Sequence, residues 1–291
     1  GISAKYIDAL RKLKPDLKYK YKLKSLKTIC STGSPLSNDG FKYVYKNIKK
    51  KVHLSSISGG TDIVSCFVLG NLYQPVYLGE IQNKGLALDV KVYSEKGRSL
   101  KNSKGELVCV NPFPSMPLKF WKDKNDIKFR NAYFNKYKNI WHHGDYAEIK
   151  NTGGFIIYGR SDTTLNPGGV RLGTAEIYSE VEKFDEIREA IVVGQSWDND
   201  IRIILFIIMN KNFIIDDSLI KKIKLQIRKN ASPRHVPSKI IVVNDIPRTK
   251  SGKIVELAVK NTIEGNEIKN IEALVNPEVL KEYKNIKELK Y

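Results

Sequence analysis

Cysteine is scarce in this chain: Cys30, Cys66 and Cys109 are far apart and form no C-x-x-C pair. Such spacing offers neither a disulfide framework nor a zinc site, and a reducing, cytoplasmic setting is the expectation. Long apolar runs are lacking too. The strongest, Ile203 to Met209, is far short of the roughly 20 residues that a helix needs to cross a bilayer. No charged-then-apolar leader opens the sequence, so no membrane partner is expected. Internal repeats and low-complexity tracts are absent as well, which excludes solenoids and linkers as the main architecture.

Acidic residues are the minority among charges, 31 against 50 Lys and Arg, for a formal +19 at pH 7. Such an excess raises nucleic acid as a partner. Its distribution argues otherwise, because residues 1 to 51 hold fourteen basic and three acidic residues, more than half of the net charge. Within that region Leu17 to Lys24 alternates strictly, which predicts an edge strand with Leu17, Tyr19, Tyr21 and Leu23 inward and lysines in solvent. A basic, aromatic nucleic-acid platform is the rival reading. With no RNA- or DNA-binding motif beside it and the tyrosines assigned to burial, no nucleic-acid partner is expected.

The 291 residues and 41% apolar content suffice for one large or two modest domains. A short apolar run at Leu26 to Cys30 leads into a Gly-Pro turn, and Asn38-Asp39 precedes a helical pattern of Phe41, Val44, Tyr45 and Ile48. Strands are predicted at 52–57, 87–93, 105–110 and 155–158, making this part mostly β. Beyond Asp162 the pattern changes. Thr174 caps a helix through Val181 and Phe184; strands follow at 189–193 and 202–209, joined by a 196–200 turn. Asp217-Ser218 opens a second helix with Ile220, Ile223 and Ile227 on one face, then comes a strand at 239–243, and a tail helix over 265–291. The expected fold is thus α/β and α+β: residues 1–161 belong to a larger, here mostly β, domain, and 162–291 form a small α+β domain with a three-stranded sheet and helices.

The segments that carry chemistry are loops. Residues 159 to 173 read Gly-Arg-Ser-Asp-Thr-Thr-Leu-Asn-Pro-Gly-Gly-Val-Arg-Leu-Gly, combining glycines that admit close backbone approach with two arginines able to fork onto phosphate. An anionic ligand at a domain junction is the inference. Ile-Pro-Arg-Thr-Lys-Ser-Gly-Lys at 246–253 is a second basic loop, and Trp-His-His-Gly-Asp occupies 141–145. His142 and His143 lack a nearby third ligand, so they are not read as a metal site.

In that order the three segments resemble the adenylate-forming superfamily of acyl-CoA synthetases. Ser-Thr-Gly-Ser-Pro-Leu at 31–36, Ser-Gly-Gly-Thr-Asp-Ile at 58–63 and the run from Gly159 through Tyr178 are similar to the acetoacetyl-CoA synthetase family in particular. The likeness extends from about Leu26 to the C-terminus. It implies a ligase that joins acetoacetate to coenzyme A in two half-reactions: the acid attacks the α-phosphate of ATP, releasing pyrophosphate, and the thiol then displaces AMP. The superfamily's Ser/Thr/Gly-rich phosphate loop is not found in these residues, so the sequence is read as the C-terminal part of a longer synthetase, incomplete alone, with the missing N-terminal part as its partner.

The resemblance also implies roles. Lys253 matches the lysine that reaches the carboxylate and α-phosphate. Asp145 matches the acid that accepts from the ribose hydroxyls, while Arg160 and Arg171 match arginines near ribose and phosphates. Asp162 matches the hinge, and Gly169 falls where the pantetheine of coenzyme A passes. Arg228 stands at a basic contact to the nucleotide end of coenzyme A, or is simply a solvated helix end. Gly33, Ser34 and Pro35 match the adenine-side loop, and Gly60 and Thr61 a phosphate-contacting loop. Asp62 stands where most relatives have the Glu that binds Mg²⁺, either directly or through water. Gly59 replaces a Trp of acetyl-CoA synthetases, which would open the pocket to a longer acid. Rival readings are a synthetase for another short-chain acid and a non-catalytic remnant that binds nucleotide or coenzyme A.

Overall fold

The computed structural model describes residues 1–250, 252–268 and 270–290. It divides into two compact units, Gly1–Ser161 and a second beginning at Asp162.

The first unit opens with β1 (Ile2–Ser3) and α1 (Ala4–Leu13), capped by the Ser3 hydroxyl on the Tyr6 N–H at 3.1 Å. A single turn, α2 (Leu17–Lys20), precedes β2 (Thr28–Thr32). Then come α3 (Asn38–Tyr43), prolonged by a wider turn at Val44–Ile48, and β3 (His53–Ser56). Strands β1, β2 and β3 form a parallel sheet. Against it, around Leu54 of β3, pack Ile7, Phe41 and Val44, the periodic apolar face of the helices. The alternation at 17–24 does not become a strand. The segment joins no ladder of this sheet and instead turns back on itself, with the Tyr21 N–H on the Leu17 carbonyl. Tyr19 is consequently 82% and Tyr21 49% exposed, so their burial, which the alternation implied, does not occur.

A short antiparallel sheet follows, of β4 (Ser58–Gly60), β5 (Ser65–Leu69) and β6 (Asn83–Lys84). The second, five-stranded antiparallel sheet comprises β7 (Val90–Tyr93), β8 (Ser99–Leu100), β9 (Lys104–Cys109), β10 (Trp141–Ile149) and β11 (Phe155–Arg160), in the order β11-β10-β9-β7-β8. Helix α4 (Ile127–Tyr133) lies before β10. Phe67, Leu107, Phe113, Phe129 and Trp141 close one shared core between these elements. The predicted strand at 87–93 starts later because Ala87 turns with φ +61°.

The second unit begins with a loop and α5 (Thr174–Val181). Its N-cap is Gly173 rather than Thr174, and the Glu176 carboxylate accepts the Gly173 N–H at 3.1 Å. Long strands β12 (Ile187–Trp197) and β13 (Asp200–Met209) pair antiparallel around Asp198 and Asn199. Both turn residues have positive φ, +49° and +59°, as a tight two-residue hairpin requires; the strands therefore extend into the region read as a 196–200 turn. Helix α6 (Asp217–Asn230), capped by Asp216, leads to β14 (Lys239–Val242), which pairs parallel with β13. Helix α7 (Glu256–Glu264) completes the unit. The apolar faces of α5 and α6 cover one side of this sheet through Ile177, Val181, Ile223 and Ile227. On the other, Val259 of α7 packs with Val279, Tyr283 and Leu289. The tail does pack here, but as 3₁₀ turns (Pro277–Tyr283, Lys287–Leu289) instead of an α-helix. Its anchoring contacts are side chains such as Tyr283, whose hydroxyl donates to the Asp245 carbonyl at 2.8 Å, so the path follows the surface it covers.

Candidate functional site

In the first unit, the candidate residues gather at the carboxyl ends of parallel strands. β2 runs into Gly33-Ser34-Pro35, exposed, with Gly33 at φ +88°. Its neighbour β3 runs through Ile57, whose N–H reaches the Ser31 carbonyl at 2.9 Å, into Ser58 to Asp62. Carboxyl ends of parallel strands are where open α/β sheets bind ligands, because chain leaving adjacent strands diverges there.

Asp145 faces the second of these loops. The bulk of β10 pairs with β9 on both sides of an irregularity between His142 and Tyr146, so His143, Gly144 and Asp145 bulge from the ladder, with Gly144 at φ +78°. A bulge re-aims side chains. Here it turns the Asp145 carboxylate, 6% exposed, onto the Ser58 hydroxyl at 3.2 Å and the Arg160 guanidinium at 3.1 Å. Arg160 also donates to the His143 carbonyl at 3.1 Å. A Cβ on Gly144 would stand 2.7 Å from an Arg160 nitrogen, so this glycine makes room for that pair. His143 lies behind, 8% exposed, its Nε2 3.7 Å from the carboxylate. Burial holds its pKa below the usual imidazole value, with Asp145 opposing, which keeps it neutral at pH 7.

Thr61 and Asp62 are exposed at the tip of the turn after β4. The Tyr133 hydroxyl donates to Asp62, and its ring stacks on Trp141 with centroids 3.6 Å apart. Burial and the hydrogen bond to Asp62 push the Tyr133 pKa up. Ser58 opens the Ser-Gly-Gly-Thr-Asp-Ile run without a role assigned to it there, and nothing in the sequence marks Tyr133. Trp141, next to the His-His-Gly-Asp run, carries the one visible hint. Glu106, fully buried, holds His142 Nε2 at 2.9 Å and Lys136 Nζ at 2.6 Å and accepts from the Ser161 hydroxyl, so His142 is an anchoring group.

Gly59 requires a correction. A Cβ there would lie 2.2 Å from the Ser65 carbonyl oxygen and 2.5 Å from the Cys66 Cα, directed into the paired strand β5. The glycine exists because two backbones touch, and the missing side chain opens no acyl pocket in that direction. At Gly60 a Cβ would meet the His143 ring at 2.9 Å, again a packing constraint.

The second unit holds the other candidates on separate elements. Gly169, at φ +75°, has nothing within 4 Å of where its Cβ would be: its conformation demands glycine, and its side is open. The Arg171 Nε reaches the Thr164 hydroxyl at 3.3 Å. Asp162 lines a cavity of about 250 Å³ with Thr163, Glu256 and Lys260. Burial pushes the Glu256 pKa up, and Tyr178 donates to this carboxyl at 2.8 Å. Arg228 is exposed on α6, beside a groove of Ile220, Leu225 and Val236. Lys253 ends a closed turn in which the Thr249 N–H meets the Lys253 carbonyl at 2.9 Å, and the Lys253 N–H meets the Thr249 hydroxyl at 3.1 Å. Its side chain is exposed. Among the described residues no group of three or more His, Cys, Asp or Glu could hold a metal ion by itself, and no helix is long and apolar enough to cross a membrane.

Comparison with known proteins places this geometry. Residues 176–253 match the AMP-binding enzyme C-terminal domain. Over 290 residues, the whole of this chain, the sequence is 55% identical to acetoacetyl-coenzyme A synthetase of Rhizobium meliloti (strain 1021). The chain is a homologue of acetoacetyl-CoA synthetases. It is 47% identical over 99% of its length to the acetoacetyl-CoA synthetase of Gallus gallus. The solved acetoacetyl-CoA synthetase from Streptomyces lividans superposes on 97% of it with a TM-score of 0.89 and 37% identity. An anthranilate CoA ligase in complex with anthranoyl-AMP, 20% identical, shares the fold over 87% of the chain at a TM-score of 0.72. The chain spans less than half of these acetoacetyl-CoA synthetases, 45% of the Rhizobium, 44% of the Gallus and 44% of the Streptomyces protein, and corresponds to their C-terminal part.

Proposed function

We propose that this chain is the C-terminal part of an ATP-dependent acid–thiol ligase that makes acetoacetyl-CoA from acetoacetate and coenzyme A through an acyl-adenylate, in the cytoplasm. The observation that supports it most is the buried Asp145 carboxylate, aimed by a bulge at the Ser58–Asp62 loop and held by Arg160. A carboxylate presents two oxygens to two vicinal hydroxyls, which suits the ribose of ATP; Arg160 holds it in orientation. Gly33-Ser34-Pro35 would border the adenine. Thr61 and Arg171 would contact phosphate, where negative charge builds in the first half-reaction and fixed donors and cations lower the barrier.

The Mg²⁺ that accompanies ATP is held mostly by phosphate oxygens and one or two carboxylates. Asp62 fits that need. It is exposed and oxygen-only, and the Tyr133 hydrogen bond fixes its orientation. Bound there, the ion would neutralise phosphate charge. Lys253 would supply the cation on the α-phosphate and acid, and Gly169 the open side along which pantetheine passes, with Arg228 toward its nucleotide end. Acetoacetate as the acid is supported by similarity to acetoacetyl-CoA synthetases, since Gly59 no longer argues for a widened pocket.

A full-length synthetase carrying this chain should turn over acetoacetate in preference to acetate, propionate and butyrate. The 291 residues alone should show no acetoacetate-dependent ATP–pyrophosphate exchange, having no loop for the outer phosphates; robust exchange by them would sink this reading. Asp162→Pro tests the hinge. Proline fixes φ and removes the N–H where the two units join, so one half-reaction should be impaired far more than the other. If both run normally, the units turn about another residue.

A further inference from the structure

The loop carrying Gly168 and Gly169 is held by two side chains that arrive from elsewhere in the second unit. Both oxygens of Asp200, the first residue of β13, lie 2.9 Å from the Gly168 N–H. An Arg234 nitrogen, on the 3₁₀ turn Pro233–His235, reaches the Gly168 carbonyl at 3.4 Å. One residue is thus held on both sides, at the N–H of the peptide before it and at the carbonyl of the peptide after it. The N–H groups of Ile201 and Gly168, with the charge of Arg234, keep the Asp200 carboxyl below the usual carboxylate range. The same 3₁₀ turn also lies beside the far end of the loop. His235, 4% exposed, sets Nε2 3.3 Å from Glu176, whose carboxylate takes the Gly173 N–H. Gly168 and Gly169 sit at φ +58° and +75°, a left-handed pair that an untethered glycine segment would leave readily, because glycine also populates the opposite region.

We propose that Asp200 and Arg234 are positioning residues for thioester formation: they lock Gly168 through the peptides on either side of it so that the open side of Gly169 is presented to the pantetheine arm. This rests on the function proposed above and adds residues that touch neither coenzyme A nor the reacting atoms. Adenylate formation does not need the lock. Thiol attack does, because misplacement of about 1 Å costs up to ~10²-fold in rate.

In a full-length synthetase carrying this chain, Asp200→Ala should raise the KM for coenzyme A about tenfold in the thioester half-reaction, since charge-assisted hydrogen bonds are the stronger class. Acetoacetate-dependent pyrophosphate exchange and the thermal midpoint should match the parent. Asp200→Asn keeps an oxygen for the Gly168 N–H and should recover most of the loss; Arg234→Ala should move the same KM in the same direction. An unchanged KM in Asp200→Ala overturns the proposal, and so does a parallel fall in pyrophosphate exchange, which marks a general defect. A parent enzyme without acetoacetate-dependent exchange would instead refute the underlying function, before any variant is compared.

Discussion

Lys253→Ala, in a full-length synthetase carrying this chain, should lower acetoacetate-dependent ATP–pyrophosphate exchange by about 10²-fold or more, on the order of 3 kcal/mol of transition-state stabilisation. Thioester formation from supplied acetoacetyl-adenylate should fall much less. The structure makes the experiment clean. The hydrogen bonds of Lys253 that close its turn are made by its own N–H and carbonyl, to Thr249, and alanine retains both. Gly252, at φ +80°, which gives the turn its shape, is untouched. The substitution therefore removes an exposed ammonium and the three methylenes beyond Cβ and leaves the backbone as it was. Lysine suits this place as a compact charge on a long stem, able to reach a phosphate that a fixed backbone cannot. Equal losses in both half-reactions would show that the side chain supports the fold instead of the chemistry.

Gly59→Trp should abolish turnover on acetoacetate and acetate together. Its Cβ would fall 2.2 Å from the Ser65 oxygen and 2.5 Å from the Cys66 Cα, both backbone atoms of a paired strand with no rotamer by which to move away. Even Gly59→Ala should force β4 and β5 apart, losing on the order of 2 kcal/mol, within the usual range for overpacking. The displaced strand carries the Ser58 hydroxyl off Asp145 and shifts the Thr61–Asp62 turn. The measurements are thermal unfolding of the alanine variant and paired turnover of the tryptophan variant on the two acids. A tryptophan variant that kept acetate and lost only acetoacetate would restore the pocket assignment that the backbone contact argues against.

Legibility in the sequence followed the range of the forces involved. The helices at Asn38, Thr174 and Asp217 could be read because their apolar spacing is local, and Phe41, Val181, Ile223 and Ile227 are indeed buried, although each is capped one residue earlier, by Ser37, Gly173 and Asp216. Strands β9, β11, β13 and β14 were readable for the same reason. Helices α1, α4 and α7 went unread amid lysines and mixed polarity, since their burial is one-sided and partial. The 17–24 alternation misled because a period of two promises a strand only where the segment meets a ladder, and here the Tyr21 N–H bonds back to Leu17 within the segment. The tail failed similarly: Val279, Tyr283 and Leu289 have no partner until the sheet surface exists.

By itself the sequence singled out the loops to which the chemistry is assigned in our proposal, because Gly, Arg, Lys and Asp at fixed spacing suit a backbone that must approach an anion. It likewise determined the change of pattern near Asp162, since hydrophobic periodicity is a property of neighbours along the chain. Only the tertiary structure decided what each residue faces. It set the Asp145 carboxylate on Ser58 and Arg160, brought Tyr133 from a distant helix to Asp62, turned Gly59 from a vacancy into a backbone contact, and placed Asp200 and Arg234 on the two sides of Gly168. The physical reason is that hydrogen bonds and steric contacts act over a few ångströms in space between residues 60 to 90 positions apart in some of these pairs, and no local pattern records which distant side chain will arrive.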